Sequence, residues 1–194
     1  MTSLTFENEE PNGSIEARIG GGALLPVEEE WPKNPDGNKM ILLMSLPSVF
    51  IRKHIPIEID PSLHISVFTT YDPKDYFMDL ISYHGDPEEE KVILSGYTKV
   101  VIHAPGRMRE EAPLMIPSRR IEISTGDGPT GSLIGAEAGL LQNEELPLVA
   151  GLEFVLQIYG GDFPEPFSDI FELSDNLGYL FVSQCQGLFF IQAT

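Results

Sequence analysis

Two stretches of the chain repeat one another in order and polarity, and this constrains the fold more than any other feature. Early in the sequence stand Ile19-Gly20, Leu24-Leu25-Pro26, Glu28-Glu29 and Trp31-Pro32. Later come Ile134-Gly135, Leu140-Leu141-Gln142, Glu144-Glu145 and Leu146-Pro147. Each copy leads into an apolar run, residues 40–46 or 152–158, and then into a second, residues 63–68 or 179–182. Two similar halves packed together would let many short strands bury one core. The expected organisation is a single unit over 15–194, with halves of about 15–103 and 118–194. The polar, acidic residues 1–14 are expected to form a loose lead-in.

Turn residues are abundant. The 194 residues include 18 glycines and 16 prolines, above the roughly 12% usual for the pair. Between them lie strand-length apolar runs at 40–46, 64–70, 91–95, 99–103, 120–124, 151–158, 178–183 and 187–192. The last two, separated by Gln184-Cys185-Gln186, predict a C-terminal hairpin. One helix is expected over 72–85. Asp72 would cap it, Pro73 would take its first position, Tyr76, Phe77, Leu80 and Tyr83 would recur along it, and Gly85 would end it. The acidic run 86–90 reads as loop. The balance is an α+β fold, mostly antiparallel β-sheet with few helices.

With 12 basic and 30 acidic residues the formal charge is -18. That excludes nonspecific nucleic-acid binding, which needs cations to release phosphate counterions. It also disfavours anionic membrane surfaces. No apolar stretch reaches the roughly 18 residues of a membrane helix. One cysteine, Cys185, and an amino terminus without a secretory pattern point to a reducing, cytoplasmic setting.

The chemical motifs are sparse. Gly126-Asp127-Gly128-Pro129-Thr130-Gly131 fits GxGxxG literally. Pro129 removes an amide and Asp127 adds negative charge where pyrophosphate would sit, so a glycine-rich turn is expected and no cofactor. His54, His64, His84 and His103 lack the close spacing of zinc ligands, and no metal is expected. His64 and His103 read as hydrogen-bonded structural residues. No GxSxG, GxxxxGK[ST] or HExxH motif occurs.

Two acidic triplets stand out, Glu28-Glu29-Glu30 and Glu88-Glu89-Glu90. Adjacent like charges must be solvated or paired. Trp31, the only tryptophan, follows the first triplet. An aromatic anchor beside carboxylates suits an Arg- or Lys-rich protein partner; the plainer alternative packs Trp31 into the core.

The same blocks resemble the YwqG-like family, a bacterial domain of unknown function. Ile19-Gly20-Gly21 through Leu25-Pro26, Trp31-Pro32 and the run 40–46 look like its opening block. Leu133-Ile134-Gly135 to Leu141-Gln142 is similar to its second Gly-containing segment, and Phe154-Val155-Leu156-Gln157-Ile158 to its strand with an embedded Gln. Residues 175–182 and 189–193 resemble its last two segments. Ser45 stands where the family's first strand often has Gln, Ala136 and Glu137 replace its second Gly and neighbours, and Ser174-Asp175 replaces Gly-Asp. The resemblance implies a two-part α+β fold and no established activity. Relatives near genes for secreted toxins imply an immunity role, so the expected function is a noncatalytic module binding a basic, toxin-like protein. The alternative is an enzyme or small-molecule binder with a site between the halves, at Gln142, Gln157 and Asp175. A housekeeping protein with no dedicated ligand is the third option.

Overall fold

In the computed structural model, residues 2–8, 11–13, 15–125, 131–135, 139–141 and 145–193 are described. Ten strands form one antiparallel sheet: β1 (Thr2–Glu7), β2 (Arg18–Ile19), β3 (Ile41–Pro47), β4 (His64–Thr69), β5 (Thr98–His103), β6 (Arg119–Thr125), β7 (Leu133–Ile134), β8 (Glu153–Tyr159), β9 (Leu177–Val182) and β10 (Gly187–Gln192). The helices are short: α1 (Ser48–Arg52), α2 (Met78–Ile81) and α3 (Pro87–Ser95). The fold is therefore β-rich α+β, as the turn-punctuated sequence predicts.

Strand order is β10-β9-β8-β7-β1-β6-β2-β3-β4-β5. It is symmetric about the central β1–β6 pair: β2 to β5 run outward on one side, β7 to β10 on the other. The local geometry is repeated too. Pairing of β3 with β4 slips between Leu42 and Met44, and pairing of β8 with β9 slips between Phe154 and Leu156. At each slip the carbonyl of the extra residue accepts a glycine amide, Gly20 N to Leu43 O (3.0 Å) and Gly135 N to Val155 O (3.1 Å). A β-bulge leaves one residue outside the ladder, and here a left-handed glycine directly after the neighbouring short strand serves it.

The sheet curls until its edges nearly meet. Thr98 Oγ1 on β5 donates to Phe189 O on β10 at 2.5 Å. A Cβ on Gly187 would lie 2.4 Å from Val100 Cγ1, so glycine is what lets these edges lie so close. Inside the curl sits the main core, including Ile19, Leu43, Met44, Val67, Ile121, Ile134, Leu156, Leu180, Phe189 and Ile191. The outer faces carry smaller cores. Leu42 and Phe68 are covered by Leu25, Trp31 and Met40. Tyr179, Phe181 and Phe190 are covered by Tyr83, Ile93 and Leu146.

Four expectations are corrected. The lead-in is not loose along its whole length: Thr2–Glu7 is β1, paired with both β6 and β7. Its alternation turns Leu4 and Phe6 toward the main core. The run 91–95 is helix, the second half of α3, and the acidic run 86–90 is that helix's start instead of loop. Asp86 caps it by accepting from Glu88 N at 2.7 Å, Pro87 takes the first position, and Gly96 ends it at φ 101°. The helix over 72–85 shrinks to Met78–Ile81. Asp72 accepts from the amides of Lys74 and Asp75, but Phe77 N donates to Glu172 Oε2, and Ser82 leaves the helix to bridge Ile191. Trp31, fourth, is buried and does not stand at the surface beside its acidic neighbours.

Candidate functional site

Trp31 is buried, 4% exposed, and so cannot anchor a partner at the surface. Its Nε1 donates to Met40 O at 2.9 Å, and its ring meets Phe68 edge-on with centroids 5.4 Å apart. An apolar ring with one satisfied N–H is well suited to a small covered core. It fixes the end of a strap, residues 22–31, that crosses the outer face of β3 and β4.

The strap holds Glu28, Glu29 and Glu30 in solvent. Its backbone is pinned along its length. Ala23 and Arg109 exchange two backbone hydrogen bonds of 2.9 Å, and Gly106 N donates to Leu24 O at 2.7 Å. Arg109 Nη1 donates to both Pro26 O (2.9 Å) and Glu29 O (2.6 Å). The same guanidinium bonds Glu111 Oε1, while Lys39 Nζ donates to Glu111 Oε2 at 2.8 Å. Those hydrogen bonds hold the Glu111 carboxyl below the usual carboxylate range. The first triplet thus projects from a fixed backbone.

The second triplet occupies the first turn of α3, where carboxylates favour the helix dipole. Glu88 is exposed and pairs with Lys91 at 2.5 Å. Glu89 folds back: Oε2 accepts from His84 N at 2.6 Å, and Oε1 lies 3.1 Å from His84 Nδ1. Glu89 and Glu90 are half-buried. The triplets sit on different coverings, one over β3–β4 and the other beside β9–β10, and no hydrogen bond or ion pair joins them among the described residues.

Of the three pocket residues, the two described, Gln157 and Asp175, lie in different settings, one buried and one exposed. Gln142, like residues 126–130 of the glycine-rich motif, lies outside the described residues. Gln157 is fully buried in β8, with Nε2 donating to Gly131 O at 2.9 Å. Asp175 is exposed in the turn before β9. Neither lines a cleft of about 720 Å³ between Asn34, Lys39, Tyr71, Asp72, Lys74 and Glu111. Nor do they line a second cleft, about 410 Å³, over Arg18, Gly21, Gly22 and Ser118. The pairing register makes Gln157 the counterpart of Ser45: each lies two residues past its bulge, opposite β7 or β2.

Under the strap lies a buried polar stripe that sequence reasoning did not assemble. Arg18, Ser45 and Ser66 are laterally paired on β2, β3 and β4, and His64 faces His103 across β4 and β5. All five are at least 95% buried. Ser66 Oγ lies 2.8 Å from His103 Nε2, and His103 Nδ1 lies 2.8 Å from Ala104 O. A carbonyl can only accept, so Nδ1 carries a proton and, in the neutral ring, Nε2 accepts from Ser66. Arg18 Nη2 donates to Gly22 O at 2.5 Å. The stripe resembles a nucleophile beside a base, yet neither cleft reaches Ser66 or His103. Its chemistry is that of ordering the strap and charging with pH. Only strand alternation on neighbouring runs hints at it; Arg18 sits in a two-residue strand with no sequence signal of its own.

Among the described residues no three His, Cys, Asp or Glu side chains gather to hold a metal ion, and no helix is long and apolar enough to cross a membrane. No model of a known protein family matches the chain, and no characterised protein matches it in sequence.

Proposed function

We propose that this chain is a YwqG-like, noncatalytic protein-binding module of the bacterial cytoplasm that neutralises a basic, toxin-like protein by covering it with an acidic face. The observation that carries the reading is the pinned strap: Glu28, Glu29 and Glu30 stand in solvent on a backbone fixed by Arg109. A preformed acidic surface loses little conformational freedom on docking, and the net charge of -18 steers a cationic partner toward it. Trp31 takes no part, Glu89 is held by His84, and Glu88 pairs with Lys91 on another covering, so Glu28, Glu29 and Glu30 carry the surface.

The test is native capture at low salt, with each captured protein purified and its association kinetics measured. Support is a strongly basic partner whose on-rate falls about tenfold or more with rising salt, and falls again for the triple variant E28Q/E29Q/E30Q. If captured partners are not basic, or the triple variant binds at an unchanged rate, the reading fails.

A further inference from the structure

We infer that His64 and His103, facing one another beside Arg18 beneath the strap, form an acid-triggered latch whose protonation releases the strap and its acidic triplet while the sheet stays folded. The two residues are direct cross-strand partners, with ring centroids 6.3 Å apart and exposures of 4% and 5%. His64 Nδ1 is buried with no hydrogen-bond partner among the described residues, so a proton there would place a charge where those residues offer it no acceptor. Among the described residues the charged groups facing the rings are Arg18 from β2, whose positive charge opposes a charged His64, and Glu29 from the strap, which favours a charged His103. Burial pushes both imidazoles down, His64 to about 4. Above that range the pair is neutral; as pH falls, one proton and then a second join the Arg18 cation in a low-dielectric stripe.

What yields is set by packing. A proton on His103 Nε2 ends its acceptance from Ser66 Oγ, while Nδ1 keeps Ala104 O, the first carbonyl of the segment whose Gly106 and Arg109 pin the strap. The strap's own core is the small cluster of Ala23, Leu25, Trp31, Met40, Leu42 and Phe68, while the main core lies on the opposite face of the sheet. A unit with few apolar contacts opens at lower free energy than the whole molecule. The latch itself stands on this geometry; only its consequence, release of a bound partner in acid, rests on the protein-binding reading above.

Trp31, the only tryptophan, reports on the strap directly. The full chain is titrated from about pH 8 to about pH 4, following Trp31 emission wavelength, acrylamide quenching and far-UV circular dichroism. The expected result is a red shift and a several-fold rise in quenching, with a midpoint between about 4 and 6.5, while the sheet signal holds. H64Q removes one titrating ring and moves the midpoint to lower pH. NMR titration of the wild-type imidazoles must show His64 or His103 titrating at the emission midpoint, a test that does not depend on any variant folding. An emission that stays fixed across this range overturns the latch, as does loss of the sheet signal in step with it, or a midpoint matched by neither histidine. Partner binding is not needed for any of these readings, so the latch and the proposed function can fail separately.

Discussion

Gly20 and Gly135 hold the same place in the two sets of strands, and both lie where a side chain has no room. Gly20 has φ 60°, and a Cβ there would sit 2.4 Å from Ile116 O. Gly135 has φ 68°, and its Cβ would sit 2.8 Å from His54 O. Gly37 is also left-handed, at φ 85°, but nothing lies within 4 Å of its Cβ position. The comparison separates two costs. G37A meets only the left-handed penalty, about 1 kcal/mol; G20A adds a clash with fixed backbone and should cost severalfold more, read as the drop in urea midpoint of each variant. His64 supplies the second prediction at this scale. Its folded value of about 4 lies below the ordinary 6.5, so the unfolded chain takes up the proton first as pH falls. Stability is full above 6.5 and is lost between 6.5 and about 4, by about 3 kcal/mol at most from this residue. Urea midpoints at a series of pH values check it, and H64Q should flatten the loss. The repeated Ile-Gly pairs were legible as a pattern in the sequence, whereas the need for a positive φ was not: it arises from a bulge in a strand more than twenty residues away in one copy and eighteen or more in the other.

At the scale of elements, α3 shows how capping overrides composition. Val92, Ile93 and Leu94 taken alone favour a strand. The signals that decide against it stand outside that run, in Asp86-Pro87 before it and Gly96 after it. Asp86→Ala removes the acceptor for Glu88 N and should cost about 1 kcal/mol, seen as a lower thermal midpoint. Its effect should stay local, because Ile93 is the helix's one buried residue and packs on the outer face of β9 and β10. Residues 72–85 fail in the reverse sense. Their cap and aromatic spacing are those of a helix, but Phe77 and Ile81 enter the main core while Tyr83 enters the outer one. One straight helix cannot serve both faces of a sheet edge, so the chain turns at Ser82. Runs whose neighbours in space are also neighbours in sequence, β8 to β10 above all, were readable; β2 and β7, two residues each, had no pattern long enough to read.

Symmetry of the whole molecule carries a consequence for how its halves depend on each other. The first strand of each set does not stay with its own set: β1 pairs with β6 and β7, and β6 pairs with β1 and β2. Cutting the chain in the exposed stretch near Pro113 would therefore leave fragment 1–113 with β1 unpaired on both edges, and fragment 114–194 with β6 and β7 unjoined. Neither fragment can complete the main core, which draws Ile19, Leu43 and Val67 from one and Ile134, Leu156 and Phe189 from the other. Exposed strand edges and half a core predict that each fragment alone lacks a cooperative unfolding transition. Mixed, they should recover the sheet's circular dichroism and elute as a one-to-one complex, with β1 and β6 as the seam. A fragment that unfolds cooperatively by itself would mean that its strands close on one another without the exchange, and that the central pair is a junction between two self-sufficient lobes.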